Sequence, residues 1–459
     1  MGYRIEKDSM GEIQVPDNAL YGAQTQRAIN NFKISSLSMP TDFIDTIIQI
    51  KKAAAIANRD LGLLDKEIAK SIIDSCDELI KNKRPEQFPI DVFQTGSGTS
   101  TNMNVNEVIA NLASQRCAQK VGANDHVNMS QSSNDVIPTA IHVSSALAVE
   151  NSLKPALLKL LTTLNNRAEE LKDSVKTGRT HLMDAMPITF GQEISGWASQ
   201  IKLALERIKD CQPRLQKVAQ GGTAVGTGIN SHPKFAAIFA EQLTKNISIN
   251  ITKSDNFFAA LSSQDTIVEL SGQLKALAVA FIKISNDLRL MNSGPLAGIG
   301  DIELVALQPG SSIMPGKVNP VVPEALMMVG AQVIGNDVTI SMSGALGNFQ
   351  LNVMLPVIGY NILQSINILA NGADALNHLS IKDFKPKMKN VEKALSLNPI
   401  LVTALNPIIG YQKAATIAKQ AYRESRPIID VALENTDLSR SELERLLDPL
   451  KLTKGGIAS

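Results

Sequence analysis

Two hydroxyls, one ammonium and one carboxamide crowd into a single short run. The run is Gly310-Ser-Ser-Ile-Met-Pro-Gly-Lys-Val-Asn-Pro320, and its reactive groups are Ser311, Ser312, Lys317 and Asn319. Two glycines and two prolines punctuate it, and such punctuation fixes a loop's geometry. A packed segment has no use for this mixture. A mobile loop that abstracts a proton and then holds an anion does. The run continues as Val321-Val-Pro-Glu324, which adds a carboxylate.

Three further polar patches interrupt the apolar pattern of the chain. Thr95-Gly-Ser-Gly-Thr-Ser-Thr-Asn102 precedes a helical segment. Glycines and small hydroxyls before a helix offer backbone N–H groups and the positive helix end to an anion. An ordinary helix cap leaves the same trace. Ser130-Gln-Ser-Ser-Asn-Asp135 offers many donors and little net charge, which suits a carboxylate held by neutral groups; capping by Asn134 or Asp135 is the plainer account. Gly178-Arg-Thr-His-Leu-Met-Asp184 contains His181, one of only five histidines. Imidazole exchanges protons near neutral pH more readily than any other side chain, although a lone histidine is often structural.

The elements that must position these patches are helices. The apolar residues Leu153, Leu157, Leu160, Leu164, Ala168, Leu171 and Val175 step by threes and fours. So do the runs from Phe190 to Val218 and from Ile267 to Met291. Each predicts one apolar stripe along a long helix, with a bend or break at Pro213. Helices are also predicted over 60–79, 105–118 and 439–450, the last opened by a capping box of Ser439 and Glu442. Between Ala325 and Ala373 the only charged residue is Asp337. Gly330, Gly335, Asn336 and Pro356 interrupt that stretch, so it reads as buried helix and not as a membrane span. Helices without a wet face bury against other copies of the chain, which predicts a homo-oligomer.

Composition narrows the classes. Hydrophobic residues make up 44% of the 459 and aromatics 4%, so the core is aliphatic and suits helix packing. The formal net charge of +1 gives no overall field for nucleic acid or an anionic membrane. Three scattered cysteines (Cys76, Cys117, Cys211) argue against a disulfide framework or a thiolate metal cluster, and for a reducing, cytoplasmic setting. The first residues lack the apolar core of a signal peptide and read as a short polar arm. Glu6 stands where an N-myristoylation signal needs Ser or Thr. No Gly-x-Gly-x-x-Gly sits between a strand and a helix, so no Rossmann unit is predicted. The length predicts about three domains: 1–134 mixed and mainly helical, 135–352 a long-helix bundle, and 353–459 small and helical.

Taken together, the patches resemble the fumarase/aspartase superfamily along nearly the whole chain, and within it class II fumarase, the metal-independent fumarate hydratase. The signature Gly-Ser-Ser-x-Met-Pro-x-Lys-x-Asn stands intact at 310–319. Thr95–Thr99, Gln131–Asn134, Gly178–His181 and Gly221-Gly-Thr-Ala-Val-Gly-Thr-Gly228 look like the fumarase branch, as do Gly22–Gln26 and Ser262–Thr266. Ser133 and His181 stand where aspartases carry Thr and Gln. Some positions depart from the pattern. A second anion site in fumarases resembles His-Pro-Asn-Asp; here Gly122 replaces the histidine and only Asn124 and Asp125 of that site are retained. Leu296 replaces a common Arg, and Ile408 a common His. Gln308-Pro-Gly and Val321-Val-Pro-Glu look somewhat aspartase-like.

The resemblance implies a mostly α, three-domain subunit whose central helices form the core of a homotetramer, with active sites shared between three subunits. It implies hydration of fumarate to L-malate, a step of the tricarboxylic acid cycle, through a carbanion and without metal or cofactor. Ser311 is then the base, and Lys317 and Asn319 bind the carboxylate that takes up charge. Ser97, Thr99, Ser132, Ser133, Asn134 and Thr180 hold the dicarboxylate, and His181, tuned by Glu324, protonates the departing hydroxyl. Aspartate ammonia-lyase uses the same carbanion chemistry and is the nearest alternative. A non-catalytic structural relative is the other.

Overall fold

The computed structural model describes residues 2–457, and it is mostly α-helical. The described residues also form five sheets of two strands each, with no doubly wound sheet among them. The chain divides into two compact units. One comprises the residues up to Lys154 with Glu206–Ala276 and Ala331–Leu369; the other comprises Pro155–Leu205, Leu277–Gly330 and the described residues from Ala370 onward.

In the first unit, the helix Thr41–Asp60 buries Phe43, Ile44, Ile47, Ile48, Ile50 and a run of alanines. Each large apolar side chain removed from water contributes roughly 1.5–3 kcal/mol before entropy is counted. The small alanines let Lys66–Asn82 and Phe235–Ile247 approach. The helices Thr99–Ser114 and Ser133–Ala148 complete the packing around it. The expected polar arm at the N-terminus is instead a hairpin, Tyr3–Asp8 paired with Gly11–Pro16. Alternation of apolar and polar residues there has the period of a strand, and Gly11 takes the positive φ (110°) that the turn needs. The helix expected over 60–79 divides: one helix ends at Asp60, Gly62 turns with φ 72°, and Asp65 caps the next through the N–H groups of Glu67 and Ile68. The helix expected over 105–118 starts earlier, at Thr99, and ends at Ser114.

In the second unit, the helical period begun at Leu153 ends at Glu170, and Val175 opens a strand. That strand, Val175–Thr180, pairs with Met183–Thr189. The helix Phe190–Leu215 carries Pro213 in its last turn and stops two residues later, short of the expected Val218. Pro213 cannot donate to the carbonyl four residues back, and the helix ends within two residues of it. Ser439 and Glu442 form the expected capping box, but the helix they open ends at Leu446, and Asp448 caps a separate turn, Pro449–Leu452. A C-terminal core gathers Leu401, Leu405, Ile417, Val431 and Leu443.

The helix Val321–Gly344 is long and apolar enough to cross a membrane, but its own sequence argues otherwise. Asp337 lies buried within it and bonds Ser271 and Lys275, while Asn336 bonds Gln364 and Ser365. Its exposed face is uncharged and carries Met328, Val338 and Met342, each more than half exposed.

Candidate active site

The first unit brings two helix N-termini together. Gly98, with φ 71°, precedes Thr99, and a Cβ there would meet Ile137 at 2.9 Å. Ser97 Oγ and Thr99 Oγ1 share a hydrogen bond of 2.8 Å. One turn on, Asn102 Nδ2 donates to Ser133 Oγ at 3.0 Å. Ser132 caps its helix by accepting the N–H of Asn134, and its own N–H donates to Asp135 Oδ1. The cap is therefore Ser132 and not the expected Asn134 or Asp135, with Asp135 closing the capping box from the third helical position, and this fixes where Ser133 and Asn134 stand. Asp135 Oδ2 accepts the N–H groups of Gly221 and Thr223, at 3.0 and 2.9 Å. Asn134 Nδ2 donates to the carbonyl of Ala224. The Gly221–Gly228 turn is thereby pinned beside the same helix end. Burial pushes the Asp135 carboxyl up to about 6, against the pull of three backbone N–H groups and Lys51.

The second unit holds the Gly310–Pro320 loop. Gly310 N–H donates to the carbonyl of Lys317 at 2.7 Å, and Asn319 Nδ2 donates to the Gly310 carbonyl at 2.8 Å. These two bonds close the base of the loop. A Cβ on Gly310 would lie 2.6 Å from the Lys317 oxygen, so only glycine fits. Ser311 Oγ accepts two N–H groups, from Ile313 at 3.3 Å and Met314 at 3.0 Å. Such donors favour negative charge on the oxygen. Lys317 is exposed and makes no ion pair among the described residues. Lys317, Asn319 and Glu324 line one open cavity of about 550 Å³, together with Arg289, Asn292 and Lys387. Ser311 does not line it.

His181 and Leu182 are the two turn residues of the hairpin, with φ 56° and 59°. Two successive left-handed residues match the twist of a tight hairpin, and they are unusual for residues other than Gly, Asn or Asp. The imidazole is exposed at the tip. Neither His181 nor Thr180 lines the cavity of Lys317 and Glu324. Asn124 and Asp125 lie exposed on a short π-helical turn, Ala123–Val127, where His126 Nδ1 accepts the N–H of Gly122.

Two groups escaped the sequence reading. Lys176 and Arg179 on the hairpin bond the buried Asp301. Lys51, wholly buried, bonds Asn128 and Gln131. Arg179 stood inside a quoted motif, but nothing local marks Asp301. Lys51 looks in sequence like one half of a surface Lys-Lys pair.

A family profile described as Lyase matches residues 11–335, and one described as Fumarase C C-terminus matches residues 401–454. The chain is 59% identical over 454 residues to fumarate hydratase class II 2 of Pseudomonas aeruginosa, covering 99% of each chain. It is 46% identical to the class II fumarate hydratase of Bacillus subtilis, again over 99% of each. It superposes on the crystal structure of class II fumarase from Schistosoma mansoni with a TM-score of 0.95 at 35% identity, covering 98% of this chain and 99% of that one. The two profiles and the full-length relatives agree, and the chain belongs to the class II fumarate hydratase family.

Proposed function

We propose that this protein is a hydro-lyase that adds water reversibly across fumarate to give L-malate, as its likeness to full-length class II fumarate hydratases supports. The single observation that carries the chemistry is Ser311 Oγ accepting two loop N–H groups on the loop that also bears Lys317 and Asn319. In the malate direction the hard step removes a proton from the carbon next to a carboxylate. The charge then spreads into that carboxylate. A serine is a weak base unless its alkoxide is stabilised, and the Ile313 and Met314 N–H groups are aimed to do so.

Lys317 would hold the charge-gathering carboxylate by Coulomb attraction. Asn319 has given one of its amide hydrogens to Gly310 and keeps the other for substrate. Ser97, Thr99, Ser132, Ser133, Asn134 and Thr180 would bind the remaining oxygens. His181 would protonate the departing hydroxyl, with Glu324 orienting its imidazole. Because His181 does not line its own chain's Lys317–Glu324 cavity, the pairing would be made between chains. The uncharged exposed face of Val321–Gly344 supports a homotetramer with sites shared between three subunits. A cytoplasmic enzyme of the tricarboxylic acid cycle fits this reading. Aspartate ammonia-lyase is not favoured by Ser133 and His181. Incubating the pure protein with malate and with aspartate, and following fumarate absorbance, tests the proposal. Fumarate from malate alone is expected; fumarate from aspartate alone would reverse the assignment.

A further inference from the structure

Lys51 is 0% exposed on the helix Thr41–Asp60, and among the described residues no carboxylate lies within hydrogen-bond reach of it. An ammonium buried without an ion-pair partner costs several kcal/mol, and an apolar side chain would pack there more cheaply. Its hydrogen bonds lead to the candidate carboxylate cradle. Nζ donates to Asn128 Oδ1 at 2.9 Å and to Gln131 Oε1 at 3.1 Å. Asn128 Oδ1 also accepts Asn106 Nδ2 at 3.1 Å and Asn102 Nδ2 at 3.2 Å. Asn102 Nδ2 donates onward to Ser133 Oγ. Asn128 Nδ2 donates to the Gln131 carbonyl, which fixes the peptide leading into Ser132. Every group between the ammonium and the cradle is neutral.

We propose that Lys51 is a positioning residue for the dicarboxylate: its buried ammonium locks the Asn128–Asn102–Ser133 chain and supplies the positive potential that the neutral Thr99 and Ser132–Asn134 cradle lacks. This rests on the reading of Ser132–Asn134 as substrate-binding. A charge in the low-dielectric interior acts over a longer range than one in water.

The titratable groups facing Lys51 are Asp135 on the helix Ser133–Ala148 and Cys76 on Lys66–Asn82; the helix Thr99–Ser114 presents the neutral Asn102 and Asn106, Asn128 follows the π-helical turn, and the charged Glu241 and Lys245 of Phe235–Ile247 pair with each other. Burial lowers Lys51 to about 7, with Asp135 opposing, and burial raises the Cys76 thiol so that it stays neutral. Asp135 titrates at about 6. As pH rises from 6 to 8 the ammonium loses its charge and Asp135 completes its ionisation. Both changes make the cradle less positive.

Succinate, a four-carbon dicarboxylate that cannot be dehydrated, is the probe. Calorimetric titration between pH 6 and 8, with malate kinetics alongside, compares the wild type with Lys51→Met and Lys51→Gln. Wild-type affinity for succinate is expected to fall about tenfold over that range, the effect of losing a nearby buried charge. In either variant the KM and the succinate Kd rise about tenfold at pH 6 and keep only the shallower slope that Asp135 ionisation imposes, while kcat stays within about threefold. A variant with wild-type KM and slope, or with kcat lost at unchanged KM, overturns the proposal. If neither variant folds, the wild-type profile decides, and a succinate affinity flat from pH 6 to 8 overturns it. Succinate binding without malate turnover would defeat the hydratase reading and leave the Lys51 test intact. Failure to bind succinate at all would defeat both.

Discussion

The Arg179 guanidinium grips both oxygens of the buried Asp301 carboxylate, Nη1 to Oδ2 at 2.6 Å and Nη2 to Oδ1 at 3.2 Å. Lys176 Nζ stands 3.2 Å from the same Oδ2 and 2.9 Å from Glu193. The Asp301 N–H donates to Met291, and its carbonyl accepts the N–H of Lys387. The strand that ends in Thr180 and His181 is thus tied to the segment leading into the Gly310 loop. Asp301→Asn leaves two cations without their shared counter-charge. Breaking such a pair costs about 3–5 kcal/mol, and a loosened hairpin tip should lower kcat by about tenfold or more. Denaturant melts and steady-state kinetics read both effects. An Asp301→Asn protein of wild-type stability and turnover would show that the clamp is ornamental.

Legibility in the sequence followed the range of the physics. The long helices were readable because their apolar period is local and strong: Ile267 to Met291 is predicted as one stripe and is one helix, Asp265–Met291. Their ends were not, because Glu170 and Leu215 stop where tertiary packing and a strand take over. The hairpin Tyr3–Pro16 passed for an arm because six-residue strands carry little pattern. The Gly310 loop was legible from residue type alone. Asp301 and Lys51 act through partners distant in sequence, as Asp135 does in its bonds to Gly221 and Thr223, and no spacing rule reports such a bond.

His181 occupies a left-handed position that Asn also tolerates, so His181→Asn should keep the hairpin while removing the proposed proton donor. Turnover is expected to fall by about 10²-fold or more, the range of general acid catalysis, with a smaller change in KM. Parallel near-ultraviolet spectra would establish that the fold is kept. A change confined to KM would reassign His181 to binding.

Ser311→Ala and Gly310→Ala separate chemistry from loop geometry. The first removes the oxygen that Ile313 and Met314 converge on, and should cost orders of magnitude in kcat with little change in melting temperature, because the site is half-exposed. The second pushes a methyl to 2.6 Å from the Lys317 carbonyl and opens the loop's base. It should raise KM and lower kcat together, as for a displaced lid. Near-normal turnover in Ser311→Ala would remove serine from the role of base.

Asp135 gives a signed pH effect. Its folded pKa, about 6, is raised above the ordinary carboxyl value by burial. The stability that this shift contributes is complete below that ordinary value and is lost as pH rises through about 6. Asp135→Asn cannot titrate. The wild type should therefore exceed the variant in melting temperature by more at pH 4 than at pH 7. A gap that widens towards pH 7 would mean that the carboxylate is held in its charged form, and that its three N–H bonds outweigh its burial.

The exposed face of Val321–Gly344 makes the last test. Met328, Val338 and Met342 project from it at 68%, 54% and 66% exposure, with no exposed charge between them. An isolated subunit would leave this stripe in water, where burying each such side chain is worth roughly 1.5–3 kcal/mol. A lysine at Val338 would put a charge at the centre of any self-association through this helix, and burying it unpaired would cost more than the contact returns. Val338→Lys is expected to sediment as a smaller species than the wild type. It should also lose most of its turnover, because His181 would no longer meet the Lys317 and Glu324 of another chain. Mixing Val338→Lys with wild-type protein should not restore it. A variant that keeps the wild-type sedimentation coefficient would move the subunit contact to another face, and an active monomer would end the shared-site reading altogether.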